Sequence, residues 1–173
     1  MNIFDKVQDR LTGFKVEAVD LKNSGKYENI FLSNTDYYMI TDGRPATYKD
    51  CLETIEYAKD FPIGYSIGFK KGSDVIAFLS FFECYPEENV CYIGLFLVDK
   101  RFRKHSYGTQ IINALIDVVF SSGYTSVKLS VQDNNVSGYS FWRKMGFECV
   151  DTTQCNGFNN ISMELKKTYT IDT

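Results

Sequence analysis

The period of apolar and polar positions changes several times along the chain, and each change marks an element. Residues 14–21 (FKVEAVDL) partly alternate and predict a strand. Residues 26–41 and 47–58 repeat at helical spacing. In the second stretch Tyr48, Leu52 and Ile55 share a face, while Lys49, Asp50, Glu53 and Glu56 point elsewhere. Asp42-Gly43-Arg44-Pro45 between them is a turn signal. Residues 64–69, 75–85 and 90–98 follow as three strand candidates separated by short turns, the pattern of an antiparallel meander. Ile111, Ile112, Leu115, Ile116 and Val119 then set an amphipathic helix over 107–120, with Gly123 as its stop. Residues 126–131 (SVKLSV) alternate, Asn134 or Asn135 caps a short helix to about Met145, and Gly146 ends it. Residues 157–165 supply a last strand and 166–173 a tail. The strand–helix–strand run across 90–131 implies parallel-type connections. The expectation is an α/β (α+β) chain: one domain over 1–173, its core at about 14–167, with a mixed sheet and helices on its faces.

Composition narrows the field. A compact chain of 173 residues can bury roughly 70% of the surface it exposes when unfolded, so a stable fold needs neither metal nor disulfide. Lys and Arg total 19 against 22 acids, a net charge of -3, which argues against phosphate-driven nucleic-acid binding. No apolar run approaches the roughly 20 residues of a membrane span. The five cysteines, Cys51, Cys84, Cys91, Cys149 and Cys155, form no Cys-x-x-Cys pair and stand beside a single His, so no zinc ligand set is present. The first six residues meet a charge at Asp5 and do not read as a signal peptide, and a reduced, cytoplasmic protein is expected. Aromatic residues are 16% of the chain, enough for a thick core or a stacking groove.

The chemistry concentrates in residues 98–109. Five of the six residues from 100 to 105 are basic or His, in a chain that is acidic overall. They lie between a buried strand and a helix start, where free N–H groups and the helix dipole favour an anion. Ser106 and Gly108 are small enough for a phosphate to approach the backbone. A solvated basic loop is the plainer alternative. Neither a G-x-x-x-x-G-K-[ST] loop nor a G-x-G-x-x-G fingerprint is present.

This segment resembles motif A of the GNAT superfamily of N-acetyltransferases, V-x-P-x-[YF]-R-x-x-G-x-[GA]. Val98, Phe102, Arg103 and Gly108 match, while Lys100 stands where Pro is common and Ser106 replaces the first Gly. Residues 135–147 are similar to the family's motif B, N-x-x-A-x-x-[FL]-[YW]-x-K-x-G-F. Together the two motifs and the elements between them cover about residues 90–150.

The resemblance implies a GNAT-like fold: a central, mostly antiparallel sheet splayed at its middle, with acetyl-CoA in the splay. The pantetheine arm would lie along Phe96, Leu97 and Val98, with the Phe96 N–H polarising the thioester carbonyl. The N–H groups of Arg103, Lys104, His105, Ser106, Tyr107, Gly108 and Thr109 would hold the pyrophosphate, and Lys104 or Arg101 the 3′-phosphate. Asn135, Phe141 and Trp142 match positions facing the cofactor, although plain core packing remains open for Phe141.

Acetyl transfer needs a neutral amine, and aqueous lysine has a pKa of about 10.4, so a base or water relay is usual. Many members carry a Glu six residues before the motif-A Val, where this chain has Tyr92. Glu83, in an otherwise apolar run, is either an outward-facing side chain or a poised base. The family's acid, a Tyr of motif B, is Trp142 here. Tyr139 then supplies the proton, or the thiolate leaves unassisted. His105 is more at home in cofactor contact than as a base. Asn34, Tyr37, Tyr38 and Arg44 are candidates for contact with the acceptor, a primary amine of a small molecule or peptide, and homodimers are common in the family. The competing readings are a non-catalytic acyl-CoA-binding module and an interaction partner that uses its aromatic surface.

Overall fold

In the computed structural model, which describes residues 2–155 and 157–168, the Asn2 side chain accepts from the Asp5 N–H (3.0 Å) and caps α1 (Ile3–Arg10). Ile3 and Val7 bury one face of this helix, so the core begins earlier than residue 14. Gln8 then secures β1 (Lys15–Ala18): its side chain donates to the Phe14 carbonyl (3.0 Å) and accepts from the Val16 N–H (2.7 Å). The expected helix over 26–41 is instead a 3₁₀ turn at Ser24–Tyr27 followed by α2 (Glu28–Ser33) and α3 (Thr35–Thr41). The break falls at Asn34, whose amide donates to the Ile30 carbonyl (2.7 Å) and competes with continuation of the helix. α4 (Tyr48–Tyr57) opens on a capping box between Thr47 and Asp50. Asp50, expected to point away from the core, is buried because it closes that box and receives Arg44.

Strands β2 (Ile63–Lys71), β3 (Asp74–Glu83) and β4 (Val90–Val98) form the expected meander. α5 (Tyr107–Ser121) returns the chain to β5 (Ser126–Gln132), which pairs with β4 in parallel. α6 (Val136–Lys144), capped by Asn135 rather than Asn134, leads to a hairpin of β6 (Glu148–Cys155) and β7 (Phe158–Lys166). The sheet order is β1-β2-β3-β4-β5-β7-β6, with β4–β5 its single parallel pairing among the described residues. β6 lies outside the expected elements: ECVDTTQC is largely exposed and polar, and pairs on one side with β7. Of the expected tail, residues 169–173 lie outside the described residues.

Two apolar layers cover the sheet. On one face α1, α5 and Trp142 of α6 pack on Cys91, Ile93, Val127 and Leu129; on the other, Tyr27, Ile30, Phe31, Tyr38, Cys51 and Ile55 pack on Phe78 and Leu97. Tyr27 donates to Glu17 (2.7 Å) from directly beneath Gly68, where a Cβ would overlap its ring. Gly68→Ala is therefore expected to lower stability by about 1–3 kcal/mol, the usual cost of overpacking. The urea midpoint should fall with an unchanged m-value.

Candidate active site

β4 and β5 run together only from Val90–Ile93 against Ser126–Leu129; beyond that pair no register joins them. At the same level β4 carries a bulge. Ser80 pairs with Leu95 and Phe81 with Ile93, leaving Gly94 without a partner. The extra residue reverses the alternation, so Cys91 and Ile93 face the α5 layer while Leu95 and Leu97 face the α2–α4 layer. Between the diverging strands lies a cavity of about 400 Å³, lined by Phe96, Leu97 and Val98 on one side and Ser130 and Val131 on the other.

The main chain of β4 supplies polar groups to this wedge. The Asp99 N–H donates to the Ile76 carbonyl (2.9 Å), which fixes the alternation beyond the bulge. With Val98 opposite Ala77 and Phe96 opposite Leu79, the N–H and C=O of Phe96 and Val98 turn away from β3. The Val98 carbonyl is taken by Asn34 Nδ2 (3.0 Å). The Phe96 N–H faces the space that β5 has vacated, as an oxyanion donor must.

At the wide end, Lys104 (φ 62°) and Ser106 (φ 60°) both adopt left-handed backbone conformations. Ser106 stands where the motif that this segment resembles has Gly, so a strained side-chain-bearing residue makes the turn that glycine makes without strain. Gln110 is the first residue to bond back into α5, to the Ser106 carbonyl (3.0 Å). The N–H groups of Tyr107, Gly108 and Thr109 thus precede the helical ladder. His105, exposed, has Nδ1 2.8 Å from the Arg103 carbonyl and stacks on Tyr107 (5.8 Å).

The basic side chains divide. Arg101 is committed to Asp99 (2.8 Å) and lies over Phe102. Arg103 forks onto Asp36 of α3 (2.7 and 3.1 Å) and also donates to Asn34 Oδ1 (2.5 Å). The Arg103 hydrogen bond holds the Asp36 carboxyl below its ordinary range. Lys104 lines the cavity and has no ion-pair partner among the described residues.

From α6, Asn135 Oδ1 accepts from the Gly138 N–H (3.0 Å), and its side chain occupies the space a Cβ at Gly138 would fill. Phe141 and Trp142 line the cavity and pack on Phe96 (6.3 and 6.2 Å), so Phe141 is both wall and packing. Tyr139 packs against the α5 layer and is absent from the cavity wall. Glu83 is neither outward-facing nor near the wedge. It is buried opposite Cys91, accepting from Tyr65 (2.7 Å) and from Tyr124, and lines neither cavity.

A second cavity, of about 440 Å³, opens on the α4 side of β4 and shares Tyr37, Gly94 and Leu95 with the first. Of the four acceptor candidates, Tyr37 lines both cavities, and Tyr38 and Arg44 line the second. Asn34 belongs to the wedge wall and is committed to Ile30, Val98 and Arg103. Burial, and secondarily Asp42, push the Tyr37 phenol up to about 12. Gly94, Ser80 and Asp36 complete the region and were not among the residues the sequence singled out. A glycine inside an apolar strand, the mark of a bulge, was the available signal for the first.

The family model described as the acetyltransferase (GNAT) family matches residues 29–147, and the chain belongs to that family. It is an acyltransferase, and its cofactor is acetyl-CoA. An acetyltransferase from Thermus thermophilus is 16% identical, superposing over 91% of this chain and 99% of its own with a TM-score of 0.73. An acetyl transferase from Salmonella typhimurium that modifies the N-terminal serine of ribosomal protein L7/L12 is 13% identical, over 91% and 97%, at 0.75. The PaiA N-acetyltransferase of Thermoplasma acidophilum, in complex with coenzyme A, is 14% identical, over 89% and 99%, at 0.65. No curated protein matches the sequence.

Asp50 lines the second cavity, with Arg44 forked onto it at 2.5 and 3.0 Å. That hydrogen bond, with those from Thr47, brings the Asp50 carboxyl down to about 2. An unfolded Asp titrates near 3.9, so the stabilisation is complete above about pH 4 and is lost as pH falls towards 2. Asp50→Asn is expected to be less stable than the parent at pH 7. Urea midpoints should show that gap closing between about pH 4 and 2.

Proposed function

We propose that the chain transfers the acetyl group of acetyl-CoA directly to the primary amine of a small molecule or peptide. The observation that carries this reading is the meeting of two cavities at Gly94. One is a wedge with an unpaired main-chain N–H and a helix start, the other an aromatic chamber on the α4 side of the strand. The wedge fits the cofactor: a narrow apolar slot beside Phe96 and Val98 suits a pantetheine arm, and the N–H groups at the start of α5 suit a pyrophosphate. Lys104, which has no ion-pair partner among the described residues, is a cation free to meet a phosphate, whereas Arg103 acts by holding the loop against α3. Acetyl-CoA supplies the activated acyl group.

The Phe96 N–H donates to the carbonyl oxygen as charge develops there. The amine nitrogen forms the new C–N bond as the C–S bond breaks, giving an acetylated amine and the coenzyme A thiol, with one proton moving from nitrogen to sulfur overall. Trp142 cannot supply that proton and Tyr139 is off the wall. Tyr37 lines both cavities as a neutral phenol, and we assign it the donor role.

Three outcomes test the reading. Acetyl-CoA at about 100 times its Kd should raise Tm by ~5–11 °C, with ATP and NAD giving no such shift. A Cβ at Gly108 would meet Phe96, Val98 and Phe141 at ordinary contact distances (3.5–3.7 Å) while projecting into the wedge. Gly108→Ala is therefore expected to keep Tm and raise the KM for acetyl-CoA. Tyr37→Phe should lower kcat by about a hundredfold and leave that KM near its parent value. An unchanged kcat removes Tyr37 from the mechanism.

A further inference from the structure

The second cavity has the chemistry of a particular kind of acceptor. Its inner end is a serine: Ser80 is 1% exposed, and its hydroxyl has no hydrogen-bond partner among the described residues, although its position lines the cavity beside Gly94. Gly94 is exposed in the middle of a central strand and, with its neighbour Leu95, lines both cavities. A Cβ there would come within 3.4 Å of the Ser80 hydroxyl and 2.7 Å of the Phe82 ring, so glycine keeps this passage open. The walls are rings, those of Tyr37, Tyr57 and Phe82.

The charged groups stand further out. Asp42, Asp50, Glu53 and Arg44 all line the cavity, three carboxylates to one guanidinium. Arg44 is already bound to Asp50 (2.5 and 3.0 Å) and Asp42 (3.3 Å), so its charge is matched within the protein and an acceptor's carboxylate is disfavoured there. The rim acids Asp42 and Glu53 are 40% and 58% exposed. Glu53 pairs with Lys49 (3.0 Å), but that lysine is 78% exposed, lies off the cavity wall and is readily displaced. The reacting nitrogen must be neutral when it attacks, so these acids serve a different charge on the same molecule.

We infer that the acceptor is a small aliphatic amine bearing a second cationic group. The reacting amine sits at the Ser80 end, the methylenes lie across the aromatic walls, and the second cation sits between Asp42 and Glu53. A cavity of this volume holds such a molecule, and the ring faces favour its cationic end as well as its chain. This deepens the acetyltransferase reading above and rests on it.

Three amines of similar length separate the alternatives: 1,5-diaminopentane, 1-aminohexane and 6-aminohexanoate, which end in an ammonium, a methyl and a carboxylate. With acetyl-CoA in excess, kcat/KM measured by thiol release should be about tenfold or more higher for the diamine than for 1-aminohexane, and lowest for 6-aminohexanoate. That preference should shrink as salt rises from about 0.05 to 0.5 M. In an Asp42→Asn/Glu53→Gln variant the ratio of diamine to 1-aminohexane should fall towards one, a comparison that holds even where absolute rates drop. Equal rates for all three amines, or a preference for 6-aminohexanoate, overturn the inference and leave the transferase reading standing. Binding of acetyl-CoA with no amine acetylated, and no binding of the diamine to the coenzyme A complex by calorimetry, also overturns it. Failure to bind acetyl-CoA at all overturns the transferase reading itself.

Discussion

The organisation of this molecule turns on one departure from regular pairing: β5 leaves β4 after Ile93, where β4 takes in the extra residue Gly94. An unbroken ladder would satisfy every main-chain group of the central strand and leave nothing for a ligand. A full alternation would place Leu95 and Leu97 on the same face as Cys91 and Ile93, emptying one layer and overfilling the other. The bulge resolves both constraints together. It delivers Leu97 to the layer of Tyr27, Phe31 and Phe78, and releases the amide of Phe96 into the wedge.

Opening a sheet in this way costs main-chain hydrogen bonds, and α3 replaces some of them with side-chain bonds across the gap. At its start, Asn34 holds the Val98 carbonyl and Asp36 holds Arg103; at its end, the carbonyls of Thr41 and Ile40 accept from Gln132 (3.4 Å) and Asn134 (3.2 Å). The helix is therefore attached to the β4 side and to the β5 side, and it forms one wall of the opening between them. Each such bond is worth on the order of 1 kcal/mol, modest singly. Their value is geometric, because they fix the width of the wedge and the position of Tyr37 between the two cavities.

The basic loop at 98–109 was legible in the sequence because its charge contradicts the chain's, and the strands and helices around it because their apolar periods are regular. Asn135 announced its cap by residue type. The helix at Ile3–Arg10 escaped because two buried positions do not set a period, and β6 because a polar edge strand shows no alternation. Asp50 looked like one of four solvated charges on α4, since nothing local reveals the guanidinium that comes over from Arg44. Arg103 read as an anion receptor, and its partner Asp36 lies 67 residues away in the chain. Glu83 was suggestive as a lone acid among apolar neighbours, and its two tyrosine donors come from strand β2 and the loop after α5. For Asp50, Arg103 and Glu83 what failed was a polar pairing with a residue on another element, which periodicity does not encode.

The groups that β4 presents to the wedge are main-chain groups, and every residue except proline carries them. Side chains at Phe96 or Val98 can drift while the same amide continues to face the same space, provided that a small residue holds the bulge. Such a site is inherited as a path of the backbone rather than as a set of letters. Identities of 13–16% alongside TM-scores of 0.65–0.75 show the same fold kept with few letters in common. Descent can erase most of the spelling of this strand and still hand on its curvature, and the acceptor chamber beside it is free to diverge at a different pace.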